Sequence, residues 1–112
     1  MNPAPHHDGS ELYVSNSAPR IGEKVEFRIR IPHALNPDQV FIRFFHDGEP
    51  RTREASQYKS SHVETWWKVK VEVINPVFHY RFMLVKNGNY SWYNAAGVFE
   101  HDVTDREDFQ VI

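Results

Sequence analysis

Three kinds of side chain in this sequence could do chemistry: histidines, carboxylates and aromatic rings. Seven histidines raise the question of a metal. The densest group is His6-His7-Asp8, but zinc sites draw two ligand pairs held on rigid elements. This pair sits in a polar run containing Pro, Gly and Ser, and the other histidines are scattered. The expectation is no metal and no cofactor, with His6, His7 and Asp8 docking against a neighbouring surface. His46-Asp47 reads as ordinary hairpin chemistry. Two carboxylates flanking a glycosidic bond could hydrolyse it, yet the acidic residues fall mainly on solvent faces of strands and in the stretch from Glu100 to Asp108. No G-x-S-x-G places a serine on a sharp turn, and no phosphate-binding loop occurs. No catalytic residue is assigned.

The rings are more informative. Eight Phe, five Tyr and three Trp exceed what a core of this size needs, so some are expected on the surface. A pyranose offers an apolar face of C–H groups and a rim of hydroxyls. Flat rings stack on the first, and neighbouring amides and charged groups bind the second. Trp66 is the leading candidate, because strand alternation sets it opposite Trp67 and away from the core. Tyr58, Trp92, Tyr93 and Asn94 follow. The competing reading for each is packing against its own or another domain. Phe41 and Phe45 also point outward, with Arg43 between them, and mark an expected interface.

The elements that position these residues are strands. Lys24 to Ile31 alternates Val25, Phe27, Ile29 and Ile31 with Lys24, Glu26, Arg28 and Arg30, the period of a half-buried strand, and Pro32 ends it. Gln39 to His46, Thr65 to Ile74 and Val77 to Lys86 alternate in the same way. Asp47-Gly48 and Asn87-Gly88 are hairpin signals, and Asn75-Pro76 is a turn. Tyr90 to Tyr93 pairs back after the second hairpin. Leu12-Tyr13-Val14 and Phe109 to Ile112 are short strand candidates. Glu49 to Ser60 reads as an edge strand plus loop, its charges discouraging aggregation. Seven or eight antiparallel strands with turns every 8–12 residues predict an all-β, immunoglobulin-like sandwich. Residues 1–11 form a flexible docking arm, and 12–112 form the sandwich.

Bulk composition narrows the partners. The chain has 112 residues and a net charge of −2, so it is one domain without the basic footprint of a nucleic-acid binder. No stretch approaches the ~20 apolar residues of a membrane helix. The absence of cysteine fits a reducing compartment and, with no apolar leader, an expected cytoplasmic location. The closing Phe109-Gln110-Val111-Ile112 reads as a cut at a domain border.

Several runs resemble the start of bacterial glycoside hydrolase family 13 proteins. They are His7-Asp8-Gly9-Ser10-Glu11-Leu12-Tyr13-Val14-Ser15-Asn16, Asp47-Gly48-Glu49-Pro50-Arg51, Glu64-Thr65-Trp66-Trp67, and Asn75-Pro76 with Tyr80-Arg81-Phe82. Trp92, Asn94-Ala95-Ala96-Gly97 and Asp108-Phe109-Gln110 continue the likeness, which covers nearly the whole chain. The segment resembles the N-terminal domain of α-glucosidases, neopullulanases and cyclomaltodextrinases, related to carbohydrate-binding module family 34. The resemblance implies a sandwich that precedes a (β/α)8 barrel in the same polypeptide. The barrel holds the catalytic acids, so none carries over to this chain. It also implies contact with α-glucan oligosaccharides and, as in some relatives, a homodimer. The expected function is a non-catalytic accessory domain of an α-glucan-hydrolysing enzyme. The alternatives are a self-sufficient starch-binding module and a generic fibronectin-like interaction domain.

Overall fold

In the computed structural model, residues 5–8, 10, 12–16, 19–46, 49–73, 78–94, 97–99 and 108–111 are described. The Asp47-Gly48 and Asn75-Pro76 turns, Ala95-Ala96 and the acidic stretch from Glu100 to residue 107 lie outside that set. Nine strands occur among the described residues: β1 (Lys24–Pro32), β2 (Gln39–His46), β3 (Glu49–Glu54), β4 (Ser56–Ser60), β5 (Glu64–Glu72), β6 (Phe78–Lys86), β7 (Asn89–Asn94), β8 (Gly97–Phe99) and β9 (Phe109–Val111).

The strands form two sheets, β1-β5-β4 and β3-β2-β6-β7-β8, with β9 also paired to β6. The N-terminal segment adds to the free edge of β1 through single bridges, His6 to Arg30 and Val14 to Phe27. The order arm-β1-β5-β4 opposite β3-β2-β6-β7 is that of an immunoglobulin-like sandwich. Alternation explains why the sheets face each other. Val25, Phe27, Ile29 and Ile31 of β1 are buried with Trp67, Val69 and Val71 of β5 against Val40, Ile42, Phe44, Phe78, Tyr80, Phe82 and Leu84 of the second sheet. Period-two patterning sends these side chains to one face and leaves the charged set outside.

Gly97–Phe99 forms a further strand, β8, paired with β7, that the sequence reading did not assign, and two other segments differ from that reading. Leu12-Tyr13-Val14 is a turn with one bridging residue rather than a strand. The amides of Tyr13 and Val14 both donate to the Ser10 carbonyl, and that turn swings the arm across β1. The polar run 49–60 is two edge strands in different sheets rather than a strand and a loop. Ala55 lies between them, is buried, and donates its amide to the Val40 carbonyl. It is the crossing point from one sheet to the other. Along β3 every residue is exposed, and Arg51 and Arg53 stand opposite Phe44 and Ile42. Charges on that edge oppose pairing with another chain.

The β6–β7 hairpin turns at Asn87 and Gly88, with φ of 52° and 80°. Two consecutive positive φ values are those of a type I′ turn, which matches the twist of paired strands and favours Asn-Gly.

Candidate functional site

β5 sets Trp66 and Lys68 on the outer face of the three-stranded sheet and Trp67 on the inner one. The register confirms the split: Trp67 pairs with Ile29 of the core row, while Trp66 pairs with Arg30 and Lys68 with Arg28. Trp66 therefore points away from the interior, as alternation predicts, but it is not open. Only 8% of it is accessible, because the Tyr13 ring stacks on it at 5.3 Å with an interplanar angle of 18°. Tyr13 is a part of the site that sequence reasoning missed; the local pattern read it as a strand residue rather than as a lid.

The next ring is supplied by a β-bulge. β4 pairs Gln57 with Trp67 and then Lys59 with Trp66, so Tyr58 is the extra residue. A bulge bends its strand and re-aims side chains. Here both Tyr58 and Lys59 reach the outer face. The Tyr58 ring meets Trp66 edge-on at 6.4 Å and is 38% exposed. The Lys59 ammonium lies 5.5 Å from the Trp66 ring centre and the Lys68 ammonium 5.1 Å from that of Tyr58. The Arg30 guanidinium lies 5.9 Å from Trp66 and is paired with Glu64 at 3.2 Å. Desolvation of the Tyr58 and Tyr13 hydroxyls raises both pKa values above the usual phenol range, so both remain hydrogen-bond donors at neutral pH. Together Tyr13, Trp66 and Tyr58 form a strip of rings with hydroxyls and cations along its margin. Such an arrangement can stack on an apolar ring face and bind polar substituents at the rim.

The other candidates lie on the second sheet. Trp92 and Asn94 are buried and Tyr93 half-buried on β7, so the structure does not bring them together with Trp66 and Tyr58. Trp92 is packed by the guanidinium groups of Arg81 and Arg43, 5.1 and 5.7 Å from its ring centre. Tyr93 faces inward, where its ring packs against Phe82 and Phe109. On the outer face Phe41, Met83 and Trp92 stand in register across β2, β6 and β7. Arg43 lies 5.0 Å from the centre of the Phe45 ring. Asp108 is buried between Arg81, at 3.1 Å, and Arg43, at 3.6 Å. A carboxylate so enclosed is held in place by its two cations.

The arm docks differently from expectation. His6 exchanges backbone hydrogen bonds with Arg30, and its Nε2 lies 3.3 Å from Asp8 Oδ2. His7 points the opposite way, into the sandwich, and is 3% exposed. It is thus closed to a partner, because the interior of its own domain takes it up. The Arg28 carbonyl can only accept, so His7 Nδ1–H donates to it at 2.7 Å. The neutral ring then accepts at Nε2 from the Tyr80 hydroxyl at 2.6 Å. The Tyr93 hydroxyl accepts from the His7 amide at 3.1 Å and donates to the His7 carbonyl at 3.2 Å. Rings of Tyr13, Tyr80, Phe82 and Phe109 surround the imidazole. Burial lowers the His7 pKa to about 4, with the Arg28 carbonyl and the Asp8 charge opposing the shift. Asp8 is held below the usual carboxylate range mainly by its hydrogen bonds from Ser10. Among the described residues no three His, Asp or Glu side chains could share a metal, and no helix is long and apolar enough to cross a membrane.

An open groove of about 580 Å³ lies at one end of the sandwich, bordered by Leu35, Pro37, Leu84, Lys86 and Tyr90. Tyr90 is 48% exposed there. The sequence reading treated it only as the start of a strand.

No protein-family model matches this sequence, and no curated protein matches it. A solved structure described as "Cyclomaltodextrinase" superposes on 96% of this chain with a TM-score of 0.79 and 14% sequence identity. This chain spans 18% of the length of that protein. At this identity the likeness establishes the fold.

Proposed function

We propose that this chain is a non-catalytic N-terminal accessory domain of an α-glucan-processing glycoside hydrolase. In this reading the outer face of the larger sheet packs on a catalytic (β/α)8 barrel of the same polypeptide. The observation that carries the reading is that outer face. Phe41, Phe45, Met83 and Trp92 share it with a cluster in which the half-buried Arg43 and the buried Arg81 flank the buried Asp108, the composition of an interior layer rather than of a solvated sheet. The cyclomaltodextrinase in which the same fold spans 18% of a longer chain supports a multidomain setting. The opposite face, with Tyr13, Trp66 and Tyr58, is left to contact carbohydrate near the substrate entrance.

The test uses the longer protein. Phe41→Arg places a charge on the face assigned to the barrel. The expected result is a lower thermal midpoint for the two-domain protein and a small change for the 112-residue chain alone. An equal shift in both, or a gene with no barrel sequence attached, would sink the proposal.

A self-sufficient α-glucan-binding module is the second reading, favoured by the exposure of Tyr58 beside Trp66. Affinity electrophoresis in starch gels separates the two. Strong retardation of the isolated chain, abolished by Tyr58→Ala, selects the module.

A further inference from the structure

We infer that the Tyr58–Trp66 face takes an anionic pyranose, a sugar bearing a phosphate or carboxylate group, in preference to a neutral glucan. This rests on reading that face as carbohydrate-contacting and adds the charge of the ligand to it.

Three observations converge. First, the charges on this face are unevenly paired. Arg28 is held by Glu26 at 2.7 Å and Arg30 by Glu64 at 3.2 Å. Lys59 and Lys68 have no carboxylate within ion-pair distance among the described residues; their ammonium groups lie over the rings of Trp66 and Tyr58. Second, the cross-strand register sets Arg28 directly opposite Lys68. Like charges so placed destabilise a sheet, whereas the neighbouring pairs Glu26–Lys70 and Lys24–Glu72 are opposite in sign. A local rule broken amid rules obeyed marks a place where function offsets stability. Third, the bulge at Tyr58 brings Lys59 onto the same face as Lys68; in a regular strand consecutive side chains point to opposite faces.

The geometry gives each part a role. A cation over an exposed ring is weakly bound, and lysine is a flexible point charge with three donors. An incoming phosphate or carboxylate draws both ammonium groups to itself, and the departure of Lys68 uncovers the Tyr58 ring for the pyranose. The anion gives Lys59 and Lys68 the counter-charge that Glu26 already gives Arg28. A neutral sugar meets the same ring but must displace Lys68 without compensation.

Isothermal titration of the 112-residue chain with glucose 6-phosphate, glucuronate, glucose and inorganic phosphate tests this. At low ionic strength at least one anionic sugar is expected to bind at least tenfold tighter than glucose, and the tighter of the two identifies the anion. Raising the salt concentration removes that advantage, because the charges are exposed. The double variant Lys59→Gln, Lys68→Gln also removes it, and Lys86→Gln on the β6–β7 hairpin leaves it intact. Equal affinity for charged and neutral sugars overturns the inference and leaves the accessory-domain proposal standing. Inorganic phosphate binding as tightly as glucose 6-phosphate overturns it too, since the ring then contributes nothing. Binding of none of the four overturns both the inference and the sugar reading of this face.

Discussion

Burial of His7 ties the stability of the fold to pH. In the unfolded chain its imidazole takes up a proton near pH 6.5; in the sandwich, burial holds that event down to about 4. Between those values the unfolded state binds one more proton than the folded state, so stability rises with pH across the window. The contribution is fully present above pH 6.5 and is lost as pH falls through the window toward 4. At 1.36 kcal/mol per unit, a shift of this size corresponds to about 3 kcal/mol. A domain of this length has only ~5–15 kcal/mol in total. The assay is urea unfolding from pH 7.5 to 4, comparing the native chain with His7→Gln. The variant keeps hydrogen-bonding capacity but cannot titrate. It should be less stable at pH 7.5 by about 2 kcal/mol, through lost ring packing and imperfect bonds to Tyr80 and the Arg28 carbonyl. Its deficit should shrink, and then reverse, as the pH approaches 4. Carboxylates common to both proteins cancel in the difference. A gap between the two proteins that stays constant across the range would refute the buried, neutral state of His7.

Three further substitutions test other parts of the structure. Asp108→Ala removes the carboxylate between Arg81 and Arg43 and leaves two cations on a largely covered face. The expected cost is about 3–5 kcal/mol by chemical denaturation. Gly88→Ala meets no atom within 4 Å of its added methyl group, yet φ is +80°. Its cost is backbone strain of about 1–2 kcal/mol, read as a lower thermal midpoint with an unchanged circular dichroism spectrum. Trp66→Ala removes the ring on which Tyr13 stacks. It should lower stability by roughly 2–3 kcal/mol and expose Tyr13, measurable as increased tyrosine accessibility to a collisional quencher.

The strands with one charged and one apolar face were legible because their signal is local. β1, β2, β5 and β6 lie within two residues of the expected bounds, and the Asn87-Gly88 turn lies where its chemistry demands positive φ. The division of Glu49–Ser60 into two sheets was less visible, although Ala55 was its one sign: a lone small apolar residue in an exposed run. The burial of His7 had no local sign at all. It arises from Tyr80, Phe82, Tyr93 and Phe109, far along the chain, and a polar N-terminal segment does not announce such partners. Trp66 shows the same limit from the other side. Alternation gave its face correctly, while its cover came from Tyr13 in a turn that no periodicity encodes. Arg81 is similar, lying on an outward position of β6 but buried beneath Trp92 and Asp108.

The contact of His7 with Phe109, 4.7 Å between ring centres, also has a kinetic meaning. It closes a loop spanning nearly the whole described chain, and long loops lose entropy before their contacts repay it. On the ribosome, residues 5–8 emerge before β9 (Phe109–Val111) and must wait for it before their pocket is complete. Substitutions at His7 and Phe109 should therefore speed unfolding while leaving the refolding rate nearly unchanged, as expected for a latch that shuts after the two sheets have met.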